Sequence, residues 1–309
     1  MMNSTNKLSV IIPLYNAGDD FRTCMESLIT QTWTALEIII INDGSTDNSV
    51  EIAKYYAENY PHVRLLHQAN AGASVARNRG IEVATGKYVA FVDADDEVYP
   101  TMYETLMTMA LEDDLDVAQC NADWCFRETG ETWQSIPTDR LRSTGVLTGP
   151  DWLRMGLSSR RWTHVVWMGV YRRDVIVKNN IKFIAGLHHQ DIVWTTEFMF
   201  NALRARYTEQ SLYKYYLHGN NTWTQDPDKV RIQQEKNLFF SLFRKYDLSI
   251  NLTASDRSVI YALIASKNSI SASWLGRISN MALNVLRSSY ISSNCHDFAN
   301  AFCRSSLSC

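Results

Sequence analysis

Residues 88–96 read YVAFVDADD, so a short apolar strand leads directly into three carboxylates, Asp93, Asp95 and Asp96. Like charges this close repel one another, and a shared cation relieves the repulsion. Oxygen ligands at a strand end suit Mg²⁺ or Mn²⁺ carried with a substrate diphosphate, because such ions keep coordination positions for phosphate oxygens. The alternative interpretation is an acidic loop that caps a helix beginning near Pro100.

Apolar runs alternate with helical patterns through the first hundred residues. Strands are predicted at residues 8–14, 36–41, 63–67 and 88–92. Helices are predicted at 20–29, from Ser45 or Thr46 to about 60, and at 73–84. This alternation predicts an α/β fold with a parallel sheet covered by helices on both faces. Ligands bind beyond the carboxyl ends of such strands, where we expect Tyr15, Asp43 and Asp93 to converge.

The pattern becomes less regular after the acidic cluster. We predict a helix at about 100–112, a strand at 117–120, a hairpin at 126–133 and a helix at 192–203. Residues 226–228, Asp-Pro-Asp, mark a break, after which the pattern is helical. The predicted organisation is therefore a catalytic domain over 1–225, with a donor half at about 1–115 and an acceptor half at about 116–225, followed by a helical appendage over 226–309.

The composition is that of an ordinary globular protein, with 46% hydrophobic and 20% charged residues among 309. A net charge of −3 argues against nucleic acid as a partner. The start of the chain has no apolar run typical of a signal peptide, and no apolar stretch is long enough to span a membrane. The six cysteines lack metal-finger spacing and are expected to be reduced thiols, so we expect a cytoplasmic protein.

Five sequence blocks occur in one order over the first hundred residues: SVIIPLYN at 9–16, NDGSTD at 42–47, QANAG at 68–72, ARNRGI at 76–81 and FVDADD at 91–96. Together they resemble the inverting glycosyltransferases of family 2. The resemblance implies the GT-A fold, a Rossmann-like and mostly parallel sheet with helices on both faces, here with a C-terminal helical segment. It also implies metal-dependent transfer of a sugar from a UDP-sugar. The chain looks closest to enterobacterial enzymes of the lipopolysaccharide core, in particular a glucuronic acid transferase acting on a core heptose.

The resemblance assigns donor-binding roles to residues of these blocks. Pro13 and Tyr15 would contact the base, and Asp43 would accept a hydrogen bond from the uracil imide, although Asp43 could instead be only a turn residue. Arg77 would contact the donor's phosphate or base, and its alternative role is a salt bridge to the acidic cluster. Asn70 is expected to shape the loop that enters the third helix.

Metal binding is assigned to the acidic cluster. By resemblance, Asp93 contacts the ribose and the next carboxylate holds Mn²⁺ or Mg²⁺. We favour Asp95 as the direct ligand and keep Asp96 as the second choice. His218 matches a histidine that closes the metal site in many relatives, and a purely structural role is its alternative.

The resemblance places the catalytic base in HHQDIVW at residues 188–194. An acceptor hydroxyl is a poor nucleophile unless a base removes its proton, and Asp191 stands where the family has that base. Gln190 stands where the family usually has Glu, and a helix cap is the alternative role of Asp191. His188 and His189 lack a third ligand at suitable spacing for zinc.

Aromatic residues of the acceptor half are candidates for sugar contacts, because their faces suit sugar rings. They are Trp152, Trp162, Trp167 and Trp194, and each is otherwise a core residue.

Two other functions compete with transfer to a lipid-linked or lipopolysaccharide glycan. A sugar-phosphate nucleotidyltransferase would need a Gly-rich basic loop after the first strand, but residues 13–20 read PLYNAGDD. A non-catalytic nucleotide-sugar binding protein would be expected to lack some of the catalytic residues, and here the set looks complete.

Residues 226–309 contain more Lys and Arg than Asp and Glu. This charge predicts helices that contact the inner face of the cytoplasmic membrane or a second copy in a homo-oligomer. A helical cap on the catalytic domain is the alternative.

Overall fold

The structure is a computed structural model that describes residues 6–158, 165–186 and 190–217. Its strands are β1 (Leu8–Leu14), β2 (Leu36–Asn42), β3 (Val63–His67), β4 (Tyr88–Phe91), β5 (Glu97–Val98), β6 (Val117–Phe126), β7 (Thr132–Gln134), β8 (Gly169–Arg172) and β9 (Ala205–Leu217). Its helices are α1 (Asp20–Ile29), α2 (Ser49–Asn59), α3 (Ala73–Val83), α4 (Met102–Glu112), α5 (Gly149–Ser158), α6 (Arg173–Lys178) and α7 (Gln190–Asn201). The predictions for His188, His189, Trp162, His218 and residues 226–309 concern positions outside the described residues.

The described strands form one sheet in the order β3-β2-β1-β4-β8-β6-β9-β5, with β7 paired to β6. The first four strands in the chain, β1 to β4, run parallel. This confirms the parallel sheet predicted for the first hundred residues. Beyond β4 the sheet is mixed, because β8 pairs antiparallel with both β4 and β6 while β6 and β9 are parallel. The carboxyl ends of β1, β2 and β4 lie at one edge of the parallel half of the sheet, and the candidate site lies at that edge.

Burial explains why β1 and β2 read as apolar runs. Every residue of β2 is buried, and Val10, Ile11 and Ile12 of β1 are fully enclosed between helices on the two faces. Helix α3 approaches β1 closely at Gly80, where a Cβ atom would lie 2.3 Å from Cγ2 of Ile11. This close approach fixes α3, and with it Arg77, against the sheet.

Helix α7 begins and ends two residues earlier than predicted. Two larger boundary errors have identifiable reasons. Helix α2 begins at Ser49, because the backbone N–H groups of Ser45 and Thr46 donate to the side chains of Asn42 and Asn16 and hold the preceding turn outside the helix. Strand β6 continues to Phe126 instead of ending at Cys120, since it pairs with both β7 and β9 beyond a register shift between Gln119 and Ala122. The predicted hairpin lies at its end.

No helix among the described residues is long and apolar enough to cross a membrane.

Candidate active site

A cavity of about 690 Å³ opens at the carboxyl ends of the parallel strands. This volume lies within the range of small-molecule sites. Six of the residues predicted to bind the donor or the metal line it, namely Pro13, Tyr15, Asp43, Arg77, Asp93 and Asp95. The loops that follow β1, β2 and β4 therefore converge as the sequence predicted.

The loop after β1 is fastened to the loop after β2. Asn16 has a left-handed backbone with φ of 49°, and its N–H donates to the Ser45 hydroxyl at 3.1 Å. The N–H of Gly18 donates to the Asp47 carboxylate at 2.8 Å. These bonds hold the loop while the Tyr15 ring, 53% exposed, remains available on the cavity wall.

Asp43 organises the loop that follows β3. Its carboxylate, 2% exposed, accepts hydrogen bonds from Nε2 of Gln68 at 2.8 Å, the N–H of Ala71 at 2.9 Å and the N–H of Gly72 at 2.8 Å. Asn70 lies in this loop, where a Cβ on Gly44 would come within 3.0 Å of its backbone nitrogen. Asp43 thus has a structural role, and it also lies on the cavity wall.

Arg77 joins two carboxylates that are far apart in the chain. One guanidinium nitrogen, Nη2, lies 2.7 Å from Asp93, and the other, Nη1, lies 3.3 Å from Asp191. The side chain is buried, and burial alone would lower its pKa, but Asp191 and Asp93 raise that pKa above the usual value. Its guanidinium also lies over the Phe183 ring, 5.4 Å from the centroid. The salt bridge weighed as an alternative is therefore formed, and it is formed on the cavity wall.

Asp191 lies in the first turn of α7, directly after Gln190, which lines the cavity. Asp191 itself is not a lining residue and reaches the cavity wall through its salt bridge to Arg77. Its second oxygen accepts a hydrogen bond from the N–H of Val166 at 3.3 Å. Burial raises the pKa of Asp191, Asp93 raises it further, and Arg77 and the Val166 N–H act in the opposite direction. Both carboxylate partners come from outside α7, which is not the geometry of a helix cap. A carboxyl group with a raised pKa is suited to accept a proton near neutral pH.

The two candidate metal ligands of the acidic cluster point in different directions. Asp96 is 1% exposed, and its carboxylate accepts hydrogen bonds from the Tyr213 hydroxyl at 2.7 Å and the Tyr216 N–H at 2.9 Å. Burial, with Asp95 and Asp93 nearby, raises the pKa of Asp96 well above its usual value. Asp95 lines the cavity. The second-choice ligand Asp96 is thus turned into the protein, and Asp95 is the carboxylate placed to face a ligand.

A divalent cation fits this arrangement when a ligand supplies further oxygens. Within the described ranges, no three His, Cys, Asp or Glu side chains gather closely enough to hold a metal by themselves. Mg²⁺ and related ions are commonly held by one or two carboxylates together with substrate phosphates. Asp95 on the wall of a cavity large enough for a nucleotide meets that requirement.

Comparison with known proteins identifies the family. A family model described as glycosyl transferase family 2 matches residues 9–171. The chain belongs to glycosyl transferase family 2. It is 85% identical over 266 residues to the uncharacterized glycosyltransferase YibD of Escherichia coli (strain K12), covering 84% of this chain and 76% of that protein. The predicted glycosyltransferase class is therefore confirmed.

Solved structures show the same fold at low sequence identity. TarS of S. aureus, in complex with UDP-GlcNAc, superposes with a TM-score of 0.64 at 18% identity, covering 91% of this chain and 79% of that one. The mannosyltransferase PcManGT of Pyrobaculum calidifontis, in complex with GDP-Man and Mn²⁺, gives a TM-score of 0.56 at 14% identity, with 99% and 83% covered. These likenesses confirm the GT-A fold that the sequence predicted.

The tryptophans considered for sugar contacts in this family 2 enzyme are mostly core residues. Trp152 and Trp194 are fully buried, so neither reaches a ligand. Trp167 is 6% exposed and stacks on Tyr213 and Tyr215 at centroid distances of 4.3 and 5.4 Å. The core assignment holds for these three residues.

Sequence reasoning missed one aromatic residue that lines the cavity and two that are exposed outside it. Tyr215 lines the cavity, yet it lies more than a hundred residues from the acidic cluster. Trp124 and Trp133 are exposed by 41% and 57% on β6 and β7. The sequence contained a pattern that could have revealed them. Trp124 and Phe126 are two residues apart, as on one face of a strand, and Trp133 follows a turn.

Proposed function

We propose that the protein is a metal-dependent inverting glycosyltransferase that moves a hexosyl or glucuronosyl group from a UDP-sugar to a hydroxyl of a cell-envelope glycan. The observation that carries the proposal is the bridge from Asp93 through Arg77 to Asp191. Asp93 and Arg77 line the cavity, and Asp191 follows the lining residue Gln190. The bridge connects the strand end where a donor would bind with a carboxylate suited to activate an acceptor.

The donor would lie across the three strand ends. The exposed Tyr15 ring offers a face to the base, beside Pro13, and Asp43 would accept the uracil imide while it holds the loop of Asn70. Asp93 would bind the ribose. TarS, which shares the fold, is known in complex with UDP-GlcNAc, and this supports a nucleotide-sugar donor.

The reaction requires the acceptor hydroxyl to lose a proton as it attacks. In the proposed step, a carboxylate oxygen of Asp191 takes this proton while the hydroxyl oxygen bonds to the anomeric carbon. The bond from that carbon to the diphosphate breaks on the opposite side, and UDP leaves with the electron pair. Arg77 holds Asp191 and Asp93 in fixed relation, and preorganised groups of this kind need not rearrange during reaction.

Asp95 is the residue that would hold Mn²⁺ or Mg²⁺ beside the diphosphate, with His218 as a further ligand proposed from the sequence. The cation would neutralise the charge that develops on the departing diphosphate. The Mn²⁺ complex of PcManGT, a protein of the same fold, supports this cofactor class.

The rival functions have less support. The loop after β1 and the first residue of α1, Asp20, line the cavity without a basic side chain, which disfavours a nucleotidyltransferase with its basic phosphate loop. A binding protein would not need a partly buried Asp191 with a raised pKa. We propose lipopolysaccharide core as the acceptor class and glucuronic acid as one candidate sugar, at the cytoplasmic face of the inner membrane.

The test is a transfer assay with a panel of labelled UDP-sugars, including UDP-glucuronic acid, and lipid-linked or lipid-free envelope glycans as acceptors. We expect transfer from one donor of the panel, dependent on Mn²⁺ or Mg²⁺. NMR of the product should show inverted configuration at the anomeric carbon. Retained configuration, or transfer from no uridine donor, would refute the proposal.

A further inference from the structure

Three aromatic side chains form a row across strands β7, β6 and β9. Trp133 on β7 is the register partner of Trp124 on β6, and Trp124 is in turn the register partner of Tyr215 on β9. Side chains at paired positions of neighbouring strands project from the same face of a sheet. The three rings therefore lie side by side on one face.

The row leads from the cavity into solvent. Tyr215 lines the cavity, whereas Trp124 and Trp133 are exposed by 41% and 57%. Ring contacts support the row at both ends. Trp167 stacks parallel to Tyr215, with planes 4° apart, and Phe126 packs on Trp133 with centroids 4.7 Å apart. Tyr215 and Trp133 are therefore packed against neighbouring rings, and Trp124 lies between them in the paired strands.

The hairpin that carries the row is anchored to the donor side of the site. Arg127 follows the last residue of β6, and its guanidinium forms a salt bridge with Asp20 of the cavity wall. The same guanidinium donates to the backbone carbonyl of Asp95 at 3.2 Å. The aromatic row consequently keeps a fixed position relative to the acidic loop.

We propose that Tyr215, Trp124 and Trp133 form an acceptor subsite that binds sugar rings of the glycan beyond the unit that receives the transferred sugar. Neighbouring strands lie about 4.8 Å apart, so the row is about 10 Å long and extends past the cavity. A pyranose ring has an apolar C–H face and a polar rim, which matches an aromatic face with an N–H or O–H at its edge. The proposal rests on the proposed function, because it assigns the acceptor's place in that reaction.

Continuity with the cavity favours a glycan over other occupants. Ordered, exposed apolar surface usually marks an interaction site. An acceptor must enter the cavity from solvent, and this row connects the two directly through Tyr215. A second copy of the chain, a membrane or residues after Leu217 seated on the row would instead obstruct that route.

The kinetic test compares Trp124→Ala and Trp133→Ala in the full chain with Tyr55→Ala, which removes an aromatic ring of similar exposure, 51%, from α2. The acceptors are short and long lipid-free fragments of lipopolysaccharide core. For long fragments, we expect each tryptophan variant to raise the acceptor KM roughly 3–10-fold, the scale of one aromatic contact. The KM for short fragments and for the UDP-sugar should not change, and Trp133→Tyr should restore most of the loss. Equal effects on long and short fragments would overturn the proposal.

A binding measurement tests the same row without turnover. In protein labelled with 5-fluorotryptophan, the ¹⁹F resonances of Trp124 and Trp133 are assigned from the two variants. We expect both to shift when the long fragment is added in the presence of UDP. Absence of these shifts, or variants that change self-association or vesicle binding instead, would overturn the subsite. If the proposed function itself is wrong, the wild-type protein will not bind UDP, and this result is distinct from the loss of the tryptophan shifts.

Discussion

Two regions of the molecule enclose carboxylates and hold them differently, because Asp43 and Asp96 are buried whereas Asp191 and Glu197 are partly buried. At the strand ends of the donor side, Asp43 and Asp96 accept hydrogen bonds of 2.7 to 2.9 Å. On α7, Asp191 has contacts of 3.3 Å, and burial raises the pKa of Glu197 to about 7. The donor side thus holds its carboxylates with short hydrogen bonds that fix loops, whereas the contacts of Asp191 on α7 are longer. A raised pKa is found in both regions, because burial also raises the pKa of Asp96. The difference therefore lies in how each carboxylate is held.

The largest effect is expected on α7, where Asp191 is the proposed base. Asp191→Asn should lower turnover by roughly 10²–10⁴-fold, the usual scale for a general base, while UDP affinity stays nearly intact. Steady-state kinetics and calorimetry measure the two quantities. Asp174→Asn, which changes an exposed aspartate of α6, is the matched control. If turnover of Asp191→Asn stays within a few fold of wild type, the base lies elsewhere.

On the donor side, removal of a loop-fixing carboxylate should affect stability first. Asp43→Ala leaves the donors of Gln68, Ala71 and Gly72 without their acceptor. We expect the free energy of unfolding to fall by about 2 kcal/mol, because three part-buried hydrogen bonds to a carboxylate are lost together. Urea unfolding measures this change, and Asp43→Asn, which keeps one acceptor oxygen, should lose less. Equal stability of Asp43→Ala and wild type would contradict the structural role.

Substitution of Glu197 is expected to raise the free energy of unfolding, in contrast to substitution of Asp43. Its pKa is raised by burial from 4.5 to about 7. Below about pH 4.5 the carboxyl is protonated in both the folded and the unfolded chain, so its burial has no pH-linked cost. As the pH rises towards 7 the unfolded chain ionises first, and wild-type stability falls.

Glu197→Gln removes that pH-linked cost. The variant should therefore gain about 3 kcal/mol over wild type above pH 7, relative to their difference at pH 4.5. Urea unfolding at several pH values tests this, with the exposed Glu58→Gln on α2 as control. A gain that does not depend on pH would show that Glu197 keeps an ordinary pKa.

The smallest effect concerns the charge balance around the base. If Asp191 acts as a carboxylate, turnover is lost as the pH falls through its folded-state pKa. Arg77 lowers that pKa and Asp93 raises it. In Arg77→Gln the acid limb of the kcat profile should therefore move to higher pH. Arg77→Lys keeps the charge and should move it less. If the acid limb lies at the same pH in wild type, Arg77→Gln and Arg77→Lys, the charge of Arg77 does not affect the pKa of the catalytic base.

The sequence predicted the donor side well because its signals are local. A buried parallel strand is a continuous apolar run, and the residues after it necessarily lie at one edge of the sheet. Tyr15, Asp43 and Asp93 could be placed in this way. The orientation of adjacent carboxylates was not predictable, because Asp96 turns inward to meet Tyr213 and Tyr216, more than a hundred residues later. The aromatic row was not predictable for the same reason, because only the pairing of distant strands brings Trp124 beside Tyr215.

The central claim is that the strand-end cavity binds a uridine diphosphate together with a divalent cation held by Asp95. Calorimetric titration of UDP into wild type and Asp95→Ala, each with and without Mn²⁺, tests it most directly. We predict that Mn²⁺ strengthens UDP binding to wild type and that Asp95→Ala loses this dependence while its fold survives. Mn²⁺ dependence that is unchanged in Asp95→Ala, or a wild-type protein that does not bind UDP, would contradict the claim.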